Sequence, residues 1–163
     1  MPIININNRE LNEQTVMEIG KFTILWNIFE KEKCRLNCNS RKIIQLTQNA
    51  TTNKHWQDLA NALQMRTQLV GNNTRTYVNE RLSQGYGIRR DDDKEQIIEF
   101  IDSEGRKSLA GGLLAIYRIR NNMFHGIKDW TELDSQIELF VKLNEFLTYT
   151  LTDSHIRIIN LSS

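Results

Sequence analysis

The chain gathers side chains that can perform phosphate chemistry into one short stretch, residues 117–126. The stretch reads Tyr-Arg-Ile-Arg-Asn-Asn-Met-Phe-His-Gly and holds two arginines, two asparagines and one histidine. An arginine binds phosphate through parallel N–H groups, and a histidine exchanges a proton near neutral pH. These residues interrupt an otherwise apolar segment, where a charged side chain is costly unless a partner offsets it. The pattern therefore predicts a site.

Cleavage of RNA by its own 2′-hydroxyl is the reaction that this set of side chains suits. The reaction needs a base for the 2′-hydroxyl, positive charge at the phosphorus and an acid for the leaving 5′-oxygen. It needs no metal and no cofactor. One histidine cannot easily act as base and acid at once, so we expect a homodimer whose two-fold symmetry brings two copies of the stretch together.

Helical spacing divides the stretch between two faces. We predict that Arg120 lies on the core-facing side, because it falls three residues after one apolar position and three before another. Arg118, Asn122 and His125 follow at spacings of four and three and form a second ridge. Asn121 lies four residues before His125 and is within reach of it. Ideal helix geometry therefore favours Arg118 as the partner of His125.

The same residues also allow a structural interpretation. His125 could cap the last carbonyl groups of its helix, and Arg118 and Arg120 could pair with acidic residues of other helices. The other two histidines, His55 and His155, have no comparable neighbours in the sequence. We do not expect either to be catalytic.

Composition and charge limit the possible classes of protein. The 163 residues suit one domain, residues 1–163, and 39% hydrophobic with 25% charged content is typical of a soluble globular protein. The 21 basic and 20 acidic residues leave a net charge of +1, so contact with RNA requires a local patch or an assembled cleft. Neither a signal peptide nor a membrane span is evident, which predicts a cytoplasmic protein.

Cys34 and Cys38 are the two cysteines of the chain. A metal site would need two further ligands, and His55 is the one nearby candidate. Free thiols in a reducing cytosol are therefore the expected state, with no bound metal.

Apolar periodicity predicts an all-α fold, an antiparallel bundle of four to five helices with short accessory helices. One proline and eight glycines are compatible with long helices. One predicted helix begins after a cap at 51–53 and reaches residue 69. A second begins with a capping box at 91–96 and reaches residue 101. The last predicted helix follows a cap formed by Thr131 and Asp134. The remaining predicted helices cover residues 9–33, 41–48, 76–83 and 108–124. The tail, 156–161, is expected to be extended.

Residues 120–126, Arg-Asn-Asn-Met-Phe-His-Gly, resemble the signature of HEPN domains. These are small all-helical domains of prokaryotic defence systems and eukaryotic ribonucleases. In their signature an arginine, commonly followed by a polar residue, precedes a histidine with four to six positions between. Arg120 fits with four positions between and Arg118 with six. The close likeness covers residues 114–128.

The resemblance implies a dimeric, metal-independent endoribonuclease whose composite cleft leaves a 2′,3′-cyclic phosphate. His125 would transfer the proton, Arg120 would stabilise the phosphorane, and Asn121 would orient His125 or the substrate. Arg118 and Asn122 would be secondary contacts to the substrate. The alternative is a non-catalytic HEPN-like module that binds RNA, a nucleotide or a protein partner.

The family setting implies a toxin–antitoxin or antiphage defence system, with an antitoxin or a defence-complex partner. Related toxins often carry a tyrosine two residues after the histidine, to which a nucleotide is attached. This chain has Ile127 at that position. Control by nucleotide attachment at that position is therefore not expected here.

Overall fold

The computed structural model describes residues 2–82, 91–124, 130–153 and 156, and the side chain of Phe124 is excluded. The described chain is mostly helical, with one small two-stranded sheet. It begins with strands β1 (Pro2–Ile6) and β2 (Arg9–Asn12) and continues into seven α-helices. Their bounds are α1 (Glu13–Glu32), α2 (Ser40–Leu46), α3 (Lys54–Leu69), α4 (Thr74–Thr76), α5 (Asp91–Asp102), α6 (Leu109–Phe124) and α7 (Ile137–Thr152).

The sheet is an antiparallel hairpin in which Ile6 pairs with Arg9. Asn7 and Asn8 connect the strands with φ angles of 53° and 63°. Two successive positive φ values are typical of the turn that joins hairpin strands, and asparagine tolerates this conformation better than most residues. The prediction of helix from residue 9 is therefore wrong for residues 9–12, where β2 precedes α1.

Local capping explains where several helices begin. The side chain of Asn53 accepts hydrogen bonds from the backbone N–H groups of His55 and Trp56, at 2.9 and 3.2 Å. This confirms the cap predicted at 51–53. The expected cap at Thr131 is wrong, because Trp130–Gln136 forms a 3₁₀ helix before α7. Asp134 instead accepts the backbone N–H of Asn12, which ties β2 to that segment.

The core lies where α1 and α3 pack against α7 and where α5 packs against α6. Trp56 is fully buried and meets the rings of Phe146 and Phe100 edge-on, with centroids 4.4 and 6.1 Å away. Phe22 of α1 packs against Phe140 of α7. Burial of these aromatic side chains is the main favourable term in holding the helices together.

No helix in the described ranges is long and apolar enough to cross a membrane.

A π-helical turn, Tyr77–Leu82, follows α4 directly. Tyr77, Val78 and Leu82 of this turn are buried. The prediction of one or two helical turns at 76–83 is thus confirmed for residues 76–82, with a wider winding than an α-helix, and residue 83 lies outside the described residues. The predicted extended tail lies outside the described residues apart from Ile156, which is fully buried.

Candidate functional site

The stretch 117–126 is called the motif. Helix α6 carries its residues from Arg118 to Met123. Its residues 111–116 are all buried, so the helix is enclosed on every side before the motif begins. This enclosure follows from a sequence in which small and apolar residues occupy every position from Leu109 to Ile116. The polar motif residues therefore have to find partners on the surrounding elements or at the helix end.

Arg118 is fully buried, with 0% of its surface exposed. Its Nε donates a hydrogen bond to the carbonyl oxygen of Leu82, at 2.5 Å. Nδ2 of Asn122 reaches the same oxygen at 3.5 Å. The ridge predicted from their spacing of four is confirmed for this pair. Leu82 is the last described residue of the π-helical turn.

The rest of the Arg118 guanidinium is poorly satisfied. Among the described residues, neither of its terminal nitrogens has a hydrogen-bond partner. Burial lowers the pKa of the Arg118 guanidinium, although an arginine keeps its charge in a protein. The Arg118 side chain therefore contacts the π-helical turn and not solvent. Arg118 therefore serves the packing of α6 in this structure.

Arg120 lies in a different environment, with 27% of its side chain exposed. One terminal nitrogen donates to Oδ1 of Asn121 at 3.1 Å, and the other lies 3.9 Å from Oε1 of Glu30. We predicted that Arg120 faces the core and that Arg118 lies on a neighbouring ridge. This is wrong, because Arg118 is the more buried of the two arginines. The reason is that α6 is apolar on nearly all sides, so spacing alone does not reveal which ridge is deepest.

Glu30 of α1 contributes to this environment and was not predicted from the sequence. Its second carboxylate oxygen accepts the backbone N–H of Cys38 at 3.1 Å, and 13% of its side chain is exposed. Ninety positions separate Glu30 from Arg120, and no local pattern marks the acid as a partner. The carboxylate therefore joins the motif arginine to the loop after α1.

That loop is closed by a disulfide between Cys34 and Cys38, whose Cα atoms lie 5.4 Å apart. Both cysteines are buried. The expectation of free thiols is therefore wrong for this structure, because the turn after α1 brings the two sulfur atoms into bonding distance. Nζ of Lys42 holds the same loop by donating to the carbonyl oxygens of Cys34 and Asn37, at 3.3 and 2.9 Å.

The arrangement can present a cation to an anionic ligand at the end of α6. Arg120 retains exposed surface, and its bond to Asn121 fixes one side of the planar guanidinium. A partly exposed guanidinium with a fixed plane can take a phosphate oxygen pair without a large loss of side-chain freedom. Arg118 has no exposed surface with which to do so.

His125 and Ile127 lie outside the described residues, so the structure positions the arginines and asparagines of the motif but not its histidine. The distance from Arg120 to the imidazole thus stays a prediction from the sequence. In comparisons with known proteins, no protein-family profile, no curated protein and no solved structure matches the chain.

Proposed function

We propose that the protein is a metal-independent endoribonuclease of the HEPN type. The observation that carries the proposal is the placement of Arg120. It is the partly exposed arginine of the motif, Asn121 fixes its guanidinium, and it precedes His125 by five residues near the end of α6. A phosphate-binding cation next to a proton carrier is what cleavage by the 2′-hydroxyl requires.

In the proposed reaction the 2′-oxygen forms a bond to the adjacent phosphorus while the bond to the 5′-oxygen breaks. His125 accepts the proton of the 2′-hydroxyl, and His125 of the partner subunit gives a proton to the leaving 5′-oxygen. Arg120 stabilises the charge of the five-coordinate phosphorus. The products are a 2′,3′-cyclic phosphate and a 5′-hydroxyl, and no metal or cofactor takes part.

The wider setting of the proposal rests on the HEPN resemblance of residues 114–128. It includes an antiparallel bundle of four to five helices in a single domain and a homodimer with a composite cleft. It also includes a cytoplasmic role in a toxin–antitoxin or antiphage defence system, with an antitoxin or defence-complex partner.

A non-catalytic HEPN-like module that binds RNA, a nucleotide or a protein is the second candidate. Two contacts favour it: Arg118 is committed to the carbonyl of Leu82, and Arg120 lies 3.9 Å from Glu30. In this case the motif arginines stabilise the fold, and Arg120 binds a ligand without chemistry.

Cleavage of a labelled RNA in EDTA tests the proposal. The parent protein is compared with His125→Ala and Arg120→Ala, and His155→Ala and Arg106→Ala serve as matched controls. Arg106 is an exposed arginine in the turn before α6, with 63% of its side chain accessible. We expect both motif variants to lose cleavage by at least about a hundredfold while both controls retain it.

The product ends and the oligomeric state complete the test. Cyclic-phosphate ends from the parent protein support the mechanism, whereas full activity of His125→Ala overturns it. The non-catalytic binding module is favoured if neither the parent protein nor any variant cleaves a broad set of RNAs although analytical ultracentrifugation shows a dimer. Cleavage by a stable monomer overturns the composite cleft.

A further inference from the structure

A disulfide lies two contacts away from Arg120. The Cys34–Cys38 bond closes residues 34–38, the disulfide loop, and the backbone N–H of Cys38 donates to Oε2 of Glu30 at 3.1 Å. The other oxygen of that carboxylate, Oε1, lies 3.9 Å from a terminal nitrogen of Arg120. The first contact has the length of an ordinary hydrogen bond, whereas the second is a long ion pair. One carboxylate is therefore shared between the disulfide loop and the partly exposed arginine of the motif.

The covalent bond holds the disulfide loop in a conformation that its sequence does not favour. Arg35 has a φ angle of 68°, in the left-handed region that costs free energy for a residue with a side chain. Residues 35–37 are exposed to solvent, so their side chains add no burial to the closed loop. Nζ of Lys42 donates to two carbonyl oxygens of the loop, at 3.3 and 2.9 Å. Once the disulfide is reduced, hydrogen bonds such as these have to hold the loop without a covalent link.

A dithiol reductant opens the disulfide in two steps. One of its thiolates attacks Sγ of Cys38, which forms a mixed disulfide and expels the thiolate of Cys34. We place the attack at Cys38 because it keeps 5% of its surface accessible and Cys34 keeps none. The second thiol of the reductant then displaces Cys38, so two electrons and two protons pass to the cysteines and the reductant becomes a disulfide.

Two free thiols need more room than the disulfide. Both cysteines are buried, and unbonded sulfur atoms cannot approach to the bonding distance in a packed interior. Reduction therefore pushes the ends of the loop apart, and the N–H of Cys38 moves away from Oε2 of Glu30. Since the Glu30 side chain is only 13% exposed, it then gains more from a charge-assisted hydrogen bond to Arg120 than from water. Both of its oxygens can pair with the guanidinium.

We propose that the Cys34–Cys38 disulfide is a redox switch that controls anion binding by Arg120. In the oxidised protein the loop occupies one oxygen of Glu30, and the guanidinium stays available to a phosphate. In the reduced protein Glu30 forms a bidentate ion pair with Arg120 and competes with the phosphate. The choice of RNA phosphate as the anion rests on the proposed function, whereas the change at Arg120 does not.

Arginine-specific modification tests the switch without RNA. Phenylglyoxal modifies accessible guanidinium groups, and peptide mass spectrometry gives the rate at each arginine. The double variant Cys34→Ser/Cys38→Ser represents the open loop, because serine forms no disulfide. We expect Arg120 to react about threefold more slowly in this variant than in the oxidised parent, since a bidentate carboxylate occupies the guanidinium. Arg106, an exposed arginine in the turn before α6, is the control and should react equally in both.

A cycle with Glu30→Gln assigns the effect to the carboxylate. With this substitution added to the parent and to the double variant, the two Arg120 rates should be equal, because a neutral amide offers the guanidinium no charge. If the double variant fails to fold by circular dichroism, reduced parent protein, freed of dithiothreitol under argon, replaces it. An equal or faster reaction of Arg120 with the loop open overturns the proposal, as does a difference that persists with Glu30→Gln.

Binding of a 2′-O-methyl RNA connects the switch to the proposed function. By fluorescence anisotropy at low salt, we expect the reduced parent to bind about threefold more weakly than the oxidised parent. Glu30→Gln should bind alike in both states. A redox-dependent rate at Arg120 without RNA binding contradicts the ribonuclease proposal alone. Equal RNA affinity in the two states, with the thiols of the reduced sample shown to be free, contradicts the switch alone.

Discussion

Nε of Arg118 donates to the carbonyl oxygen of Leu82 at 2.5 Å and so joins the motif helix to the π-helical turn, 36 residues earlier in the chain. The arginine is one of the largest fully buried side chains among the described residues. One hydrogen bond therefore decides that the first motif arginine is part of the interior. Arg120, two positions later, is left as the arginine with exposed surface.

Arg118→Ala should lower the free energy of unfolding by about 3 kcal/mol, because it leaves a cavity and removes the shorter of the two hydrogen bonds that α6 donates to the carbonyl oxygen of Leu82. Arg120→Ala should cost about 1 kcal/mol, because Arg120 is partly exposed and its ion pair with Glu30 is long, at 3.9 Å. Urea unfolding followed by circular dichroism measures both values. Equal losses in the two variants would contradict the assigned difference in burial.

Glu30→Gln should strengthen RNA binding by about threefold at low salt, because the carboxylate beside Arg120 repels phosphate. The change keeps an oxygen that can accept the N–H of Cys38. Fluorescence anisotropy with a 2′-O-methyl RNA, which cannot be cleaved by its 2′-oxygen, isolates binding. Glu32→Gln, an exposed neighbour on α1, is the control and should bind as the parent does. Weaker binding by Glu30→Gln would indicate that the carboxylate positions Arg120 for RNA instead of competing with it.

Reduction of the Cys34–Cys38 disulfide should lower the free energy of unfolding by about 2 kcal/mol, the value expected for closing a short loop. The measurement is urea unfolding with and without dithiothreitol. The double variant Cys34→Ser/Cys38→Ser should unfold identically in both conditions. A parent protein that is insensitive to reductant while its thiols are shown to be free would contradict a stabilising role of the disulfide.

Two glycine substitutions should have opposite effects on stability. Gly111→Ala would place Cβ against the carbonyl oxygen of Gln96, so α5 and α6 must separate and the variant should lose about 2 kcal/mol. Gly20→Ala meets no atom within 4 Å on the exposed side of α1 and should gain about 0.5–1 kcal/mol from helix propensity. Thermal unfolding of the two variants gives the comparison. Destabilisation by Gly20→Ala would contradict the absence of neighbouring atoms within 4 Å of its Cβ.

The sequence was sufficient to predict most of the helices, because most of them repeat apolar residues at the helical period. Asn53 illustrates this, since its side chain forms the expected bonds to the first turn of α3. The common ridge of Arg118 and Asn122 also followed from spacing alone. These features depend on neighbours within one or two helical turns.

Features that depend on distant partners were decided by the tertiary structure. The hairpin before α1 places Asn12 against Asp134, the turn after α1 joins the two cysteines, and Glu30 meets Arg120 across 90 positions. Which of Arg118 and Arg120 is the more buried also depends on distant partners. A helix that is apolar on almost every side presents no unique buried face. The packing of the π-helical turn against α6 therefore determined that Arg118 lies inside and Arg120 at the surface.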